Sequence, residues 1–209
     1  MMVSALIERE LASTGSPIRN GVFVAVVGPS GAGKDTLIGY AREAFAGSEA
    51  VEFVRRVITR PSDIASEDHD SLADEEFEEA RKAGAFAVSW PAHGLHYGLP
   101  VSVDRSIADG HVAVANISRG AIPLIKARYA NVVIVEVTAS PEILAQRLSA
   151  RGRESRGEVL ARLARSAELG TSLPGAIRID NSGSRDEAGE RFVAVLRKAI
   201  AFADVSGTV

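Results

Sequence analysis

The sequence predicts an α/β fold in which a parallel sheet is covered by helices on both faces. Two observations carry that prediction. Apolar strand-like runs alternate with helical periodicities along the whole chain. The first of those runs, Val22–Val27, passes directly into the glycine-rich turn GPSGAGK, which opens a helix. In open sheets of this kind ligands gather at the carboxyl ends of the strands. With 209 residues, 46% of them hydrophobic, the chain can bury one sizeable core, and a single domain over 20–205 is expected.

The elements follow in order. Residues 1–19 are polar and lack a basic-then-apolar signal pattern, so they read as a leader, poorly ordered or a short helix. Val22–Val27 is a buried strand and Lys34–Phe45 a helix. Glu52–Ile58 reads as one strand ending at Thr59-Arg60-Pro61, and the polar stretch 62–71 as a loop. Ala73–Ala83 is a helix with an acidic first half, stopped by Gly84. Phe86–Trp90 is extended, Gly94–Gly98 is a turn into a short strand, and Ser102–Asp109 is a short helix. The strand His111–Asn116, a helix near Ala121–Arg128, the strand Val132–Val137 and the helix Pro141–Ala150 come next. Helical patterns cover 157–169, Ala176–Ile179 is a short strand, and Arg185–Ala203 is the closing helix. The irregular insert at about 60–100 is the expected acceptor-binding region.

The turn after the first strand suits polyphosphate. Gly28, Gly31 and Gly33 let the backbone curl, so that N–H groups from Gly28, Pro29, Ser30, Gly31, Ala32 and Gly33 (the proline excepted) can converge on phosphate oxygens. The helix N-terminus adds its dipole, and Lys34 reaches the β- and γ-phosphates as a mobile charge. A plain strand-to-helix turn is the alternative. One departure matters: such loops have Ser or Thr after the lysine to hold Mg²⁺, whereas this chain has Asp35 and then Thr36. Asp35 can ligate the metal directly, hold it through water, or cap the helix, and Thr36 can meet a phosphate oxygen or the metal. ATP with Mg²⁺ is the expected co-substrate.

A net charge of −3 gives no reason to expect nucleic acid or an anionic membrane as partner. Arginines nevertheless cluster, with Arg55, Arg56 and Arg60 in one group and Arg147, Arg151, Arg153, Arg156, Arg162 and Arg165 in another. That pattern suggests a small anionic ligand, with Arg147, Arg156 and Arg165 read as solvated helix faces. Cysteine is absent, excluding disulfides and thiolate metal sites, and no apolar run approaches the ~20 residues that span a bilayer. A cytoplasmic protein is expected.

Beyond these readings, most of residues 22–182 resembles the guanylate kinase branch of the P-loop nucleoside monophosphate kinases. The resemblance rests on the GPSGAGK loop, on Thr59-Arg60-Pro61 followed by Glu67-Asp68, on Gly94-Leu95-His96-Tyr97-Gly98, and on Arg151-Gly152 followed by Arg162. It implies a three-layer P-loop kinase fold, a mobile lid at about 148–162 and phosphoryl transfer from ATP. It also implies roles: Lys34, Arg151 and Arg162 neutralise the transferred group, Arg60 and Tyr97 hold the acceptor, and Asn181 lines the adenine pocket or caps its loop. Bland alternatives are a loop ion pair of Arg60 with Asp63 or Glu67 and a helix pair of Arg162 with Glu158.

The departures are as informative. Guanylate kinases carry a base-reading glutamate where this chain has Phe86-Ala87-Val88-Ser89-Trp90-Pro91, and small hydroxyl residues where it has Leu99-Pro100. The acidic pair after the central strand is replaced by Asn116-Ile117-Ser118-Arg119. A site without those groups loses its discrimination for a base. This set, together with GPSGAGKDT, Arg55–Pro61, Ser89–Gly98 and Val137–Pro141, resembles the ribose 1,5-bisphosphate phosphokinases of bacterial phosphonate breakdown. That resemblance implies a small sugar bisphosphate as acceptor, and Arg56 and Arg119 are candidates for its second phosphate. His93 and His96 flank Gly94 in the same region, where either can bond the sugar or a phosphate, or serve only loop packing or solvent. Trp90 and Val88 can equally be core positions. Guanylate kinase activity and a non-catalytic binding module are the competing readings, and a homodimer is allowed for.

Overall fold

The computed structural model describes residues 16–60, 69–150 and 173–206. In chain order its strands and helices are β1 (Val22–Val27), α1 (Lys34–Ala44), β2 (Val51–Phe53), β3 (Arg56–Ile58), β4 (His69–Ser71), α2 (Asp74–Lys82), β5 (Phe86–Ala92), β6 (Leu95–Pro100), α3 (Ser102–Ala108), β7 (Val112–Asn116), α4 (Ile122–Arg128), β8 (Val132–Thr138), α5 (Pro141–Ser149), β9 (Ile177–Asp180) and α6 (Arg185–Ser206). A 3₁₀ turn, Arg119–Ala121, precedes α4. No helix among the described residues is long and apolar enough to cross a membrane.

The main sheet has the order β2-β7-β1-β8-β9, and its pairs are parallel. β1 is central, which is why all six of its residues are apolar and buried. Its two faces meet different layers. Val22, Val24 and Val26 pack with Val135 and Val137 against Leu37 of α1 and Phe192 and Leu196 of α6. Phe23, Ala25 and Val27 pack with Ile134 against Val103 and Ile107 of α3 and Leu124 and Ile125 of α4. Each fully buried side chain of this size contributes roughly 1.5–3 kcal/mol.

A clamp joins α3 to α4. Asp104 accepts from the Arg128 guanidinium and, at 3.0 Å, from the Tyr129 hydroxyl, while the Tyr129 ring stacks on Phe23 at 5.1 Å. Burial, with the Asp104 carboxylate alongside, pushes the Tyr129 phenol far above its ordinary value.

A second sheet, β4-β3-β6-β5, sits beside the first. Here the structure corrects two expectations. Glu52–Ile58 is not one strand: Val51–Phe53 pairs in the main sheet, whereas Arg56–Ile58 pairs in the second. The chain stays extended through the crossing, and Val54 N–H still donates to Val114, so the alternating pattern could not show that the partner changes. The end of the expected loop, His69–Ser71, is a strand parallel to β3. Backbone pairing with β3 holds it there, with His69 buried and Asp70 exposed. The second sheet docks through Val88, Trp90 and Leu99, which join the core on the Phe23 face of the main sheet.

Candidate active site

The phosphate loop lies between β1 and α1, where successive chain connections leave on opposite sides of β1. Two glycines are obligatory there. Gly28 has φ 148° and lies so close to the Val137 carbonyl on β8 that a β-carbon would collide with it. Gly33, at φ 87°, starts α1 in the left-handed region, with the Asn181 side chain where its β-carbon would stand.

Side chains from distant elements grip the loop. Arg147 on α5 donates to the carbonyls of Gly31 at 3.3 Å and Asn181 at 3.0 Å. Asn181 Nδ2 donates to the Ala32 carbonyl at 2.8 Å. A trans peptide sets its C=O and N–H on opposite sides, so holding the Ala32 carbonyl also fixes the direction of the Gly33 N–H. Lys34 Nζ donates to the carbonyls of Gly28 at 2.9 Å and Pro29 at 3.0 Å, placing the cation over the loop. The Asn181 turn is itself fixed: Ser182 Oγ accepts from Ser140 N–H and donates to Asp180, whose carboxyl is held below its ordinary value by that hydroxyl and the Ser182 N–H.

Beyond the loop, Asp35 accepts from Asn116 Nδ2 at 2.8 Å. The two border a cavity of about 50 Å³, together with Ile38, Gly39, Arg42, Val54 and Arg56. Arg56 is buried at the start of the second sheet, so helix α1, the end of β7 and β3 meet around this carboxylate. Thr36, one place further on, is exposed on the helix. Among the described residues no group of three His, Asp or Glu side chains is placed to cage a metal ion by itself.

The region expected to hold the acceptor is built on the β5–β6 hairpin. Thr59 and His96 bind each other twice, through Thr59 N–H to the His96 carbonyl at 3.1 Å and His96 N–H to Thr59 Oγ1 at 2.9 Å, which sets half-buried Arg60 beside the hairpin. Tyr97 stacks on Trp90 at 5.6 Å, and Trp90 Nε1 donates to Ser118 Oγ at 3.0 Å. The hairpin is thereby tied to the turn after β7. His93 occupies the exposed tip, where it and Gly94 both have positive φ, 53° and 75°, as a two-residue hairpin turn requires. Arg119 Nη2 binds Glu136 at 2.8 Å. Arg151, Arg162 and nearly all of the expected lid lie outside the described residues, as does most of the leader.

Lys34 and Asn181 thus meet at carbonyls of the loop, Asp35 and Arg56 border one cavity, and Arg60 follows β3, whose Ile58 pairs with Tyr97 on β6. Arg147 corrects the sequence reading: it is no solvated helix arginine but a brace on the loop carbonyls. Its partners lie 116 and 34 residues away, so no local spacing signals it. Glu136 and Arg178 were likewise missed; a lone glutamate in the valine-rich run Val132–Val137 is the one clue the sequence holds.

A braced phosphate loop at the carboxyl end of a parallel sheet, facing a small second sheet, defines a P-loop kinase of guanylate-kinase-like architecture. A guanylate kinase from Anaplasma phagocytophilum shares that fold, with a TM-score of 0.62 at 20% identity over 88% of this chain and 87% of its own. No protein-family model matches the chain. Curated relatives resolve the family: a ribose 1,5-bisphosphate phosphokinase of Chelativorans sp. (strain BNC1) is 51% identical over all 209 residues, covering 100% of both chains. The enzyme of that name from Agrobacterium fabrum is 44% identical over 85% of this chain and 97% of its own. The chain belongs to the ribose 1,5-bisphosphate phosphokinase family.

Proposed function

We propose that the protein transfers the γ-phosphoryl group of ATP to the 1-phosphate of ribose 1,5-bisphosphate, giving ADP and 5-phosphoribosyl 1-diphosphate. The observation that supports this most is 51% identity along the full chain to a phosphokinase of that name. The acceptor side agrees. Strand β5 carries no carboxylate to read a purine edge, and Val88 and Trp90 on it are core residues, 6% and 3% exposed.

An acceptor phosphate oxygen is already ionised near neutral pH, so it attacks the γ-phosphorus in line without a general base. The protein supplies position and charge. Lys34 and the loop N–H groups hold the donor. Arg60 and Tyr97 hold the reacting phosphate, with Arg56, Arg119 and His93 as further contacts. Arg151 and Arg162 neutralise the charge that spreads over the transferred group. The donor set fits Mg²⁺ arriving with the nucleotide: Asp35, a carboxylate oriented by the Asn116 amide, would hold the ion. Bound there, it would supply positive charge against the phosphates of the donor.

The test is ATP-dependent ADP release with ribose 1,5-bisphosphate, GMP and ribose 5-phosphate side by side. Turnover confined to the bisphosphate, with the diphosphate product formed, is the expected result. Turnover on GMP in preference to the bisphosphate overturns the reading.

A further inference from the structure

Glu136 is the one carboxylate buried among the described residues, 3% exposed in a strand otherwise made of aliphatic residues and Thr138. A buried carboxylate adds little net stability even when paired, and an aliphatic residue would fill the position at lower cost. Its partners explain its presence. Arg119 Nη2 binds one oxygen at 2.8 Å, and Arg178 binds the other through Nη2 at 3.3 Å and Nε at 3.4 Å. Two guanidiniums on one carboxylate leave a net positive charge. Both arginines remain about half exposed, at 44% and 55%, and each guanidinium keeps donors beyond those Glu136 takes.

The trio sits at the reactive end of the sheet. Glu136 is in register with Val27, the residue before the phosphate loop, and with Arg178 on β9. Register neighbours share a face, and here it is the face of Val27 and Trp90 rather than that of α1 and α6. Contacts run continuously to the acceptor hairpin: Ser118, next to Arg119, accepts from Trp90, and Trp90 stacks on Tyr97.

We infer that Arg119 and Arg178, braced by Glu136, form a subsite for the phosphate of the acceptor that does not react. The inference rests on the sugar-bisphosphate reading and deepens it: one phosphate meets Arg60 and Tyr97, and the far phosphate meets this pair. Glu136 is a positioning residue. It holds both guanidiniums at the sheet end before the ligand arrives, which spares the ordering of two long side chains on binding.

The wild type is assayed first on ribose 1,5-bisphosphate. A protein inactive on that compound overturns the functional reading and the subsite together. Binding of ribose 5-phosphate, which carries only the far phosphate, and of ribose 1-phosphate, which carries only the reacting one, is then measured by calorimetry for the wild type, Arg178→Gln and Glu136→Gln. Arg178→Gln is expected to weaken ribose 5-phosphate about 10- to 100-fold and ribose 1-phosphate less than about 2-fold, with KM for ATP unchanged. Glu136→Gln, which keeps the shape and loses the charge, shifts the same preference in the same direction. With the wild type active on the bisphosphate, equal losses on both ligands, no loss on either, or no binding of ribose 5-phosphate to the wild type at millimolar concentration overturns the subsite alone. An unchanged preference in Glu136→Gln overturns the bracing role.

Discussion

The side-chain amide of Asn181 donates to the carbonyl of Ala32 at 2.8 Å, linking the end of the last strand to a phosphate loop 149 residues earlier. Gly33 leaves the room for that contact. Asn181→Ala removes the shorter of two side-chain donors to that carbonyl, leaving Arg147 Nη1 at 3.5 Å, at a cost of about 0.5–1.5 kcal/mol. It is expected to lower Tm and raise KM for ATP while the acceptor KM holds. Gly33→Ala is expected to abolish ATP binding, because a β-carbon there meets both a positive φ and the Asn181 amide. Nucleotide titration with circular dichroism as the folding control checks both.

Lys34 stands over the loop on two of its carbonyls, and under the proposed function it moves from there to the nucleotide's terminal phosphates. Lys34→Ala is expected to lower kcat by about 10²- to 10³-fold or more, since a positioned donor to developing charge is worth that much. A binding module would keep its ligand affinity in the same variant, so turnover and affinity measured together separate the two.

Asn116 orients Asp35 by donating to its carboxylate. Asp35→Ala is expected to raise the Mg²⁺ concentration for half-maximal activity. Asn116→Ala is expected to do the same more mildly, in the range of about 10- to 100-fold seen for residues that orient metal ligands. A Mg²⁺ titration at fixed ATP reads both; an unchanged midpoint in Asp35→Ala removes the carboxylate from the metal's surroundings.

The Tyr129 phenol titrates well above its ordinary value because it is buried beside Asp104. A folded-state pKa raised above the unfolded value gives stability that is complete below the unfolded pKa, about 10, and is lost as pH climbs from there toward the folded value. Tyr129→Phe removes both that titration and the bond to Asp104. Its Tm deficit against the wild type is therefore expected to be constant from pH 7 to 9 and to shrink above ~10. Differential scanning calorimetry across that range tests the sign.

Local pattern accounts for what was legible before the structure. Val22–Val27 announced itself as a buried strand because six consecutive apolar residues suit no half-solvated position, and GPSGAGK marked the strand-to-helix turn by its glycines. The ends of most helices fell within two residues of the expected positions, for caps and turn residues are local signals. The crossing at Val54-Arg55 and the strand His69–Ser71 were illegible, since extended chain looks alike whichever sheet it pairs with. Trp90 was left open between core and ligand; it serves the core with its ring and Ser118 with its indole N–H.

By itself the sequence determined the fold class, the phosphate loop and the residue types available to the site, because strand period, helix period and glycine geometry are properties of neighbours along the chain. Only the tertiary structure decided which polar groups hold which. Arg147 and Asn181 on the loop, Asn116 on Asp35, and Glu136 between Arg119 and Arg178 each join residues at least 17 positions apart. Such pairings exist because a buried polar atom must find a partner in three dimensions, and no one-dimensional spacing records where that partner will be.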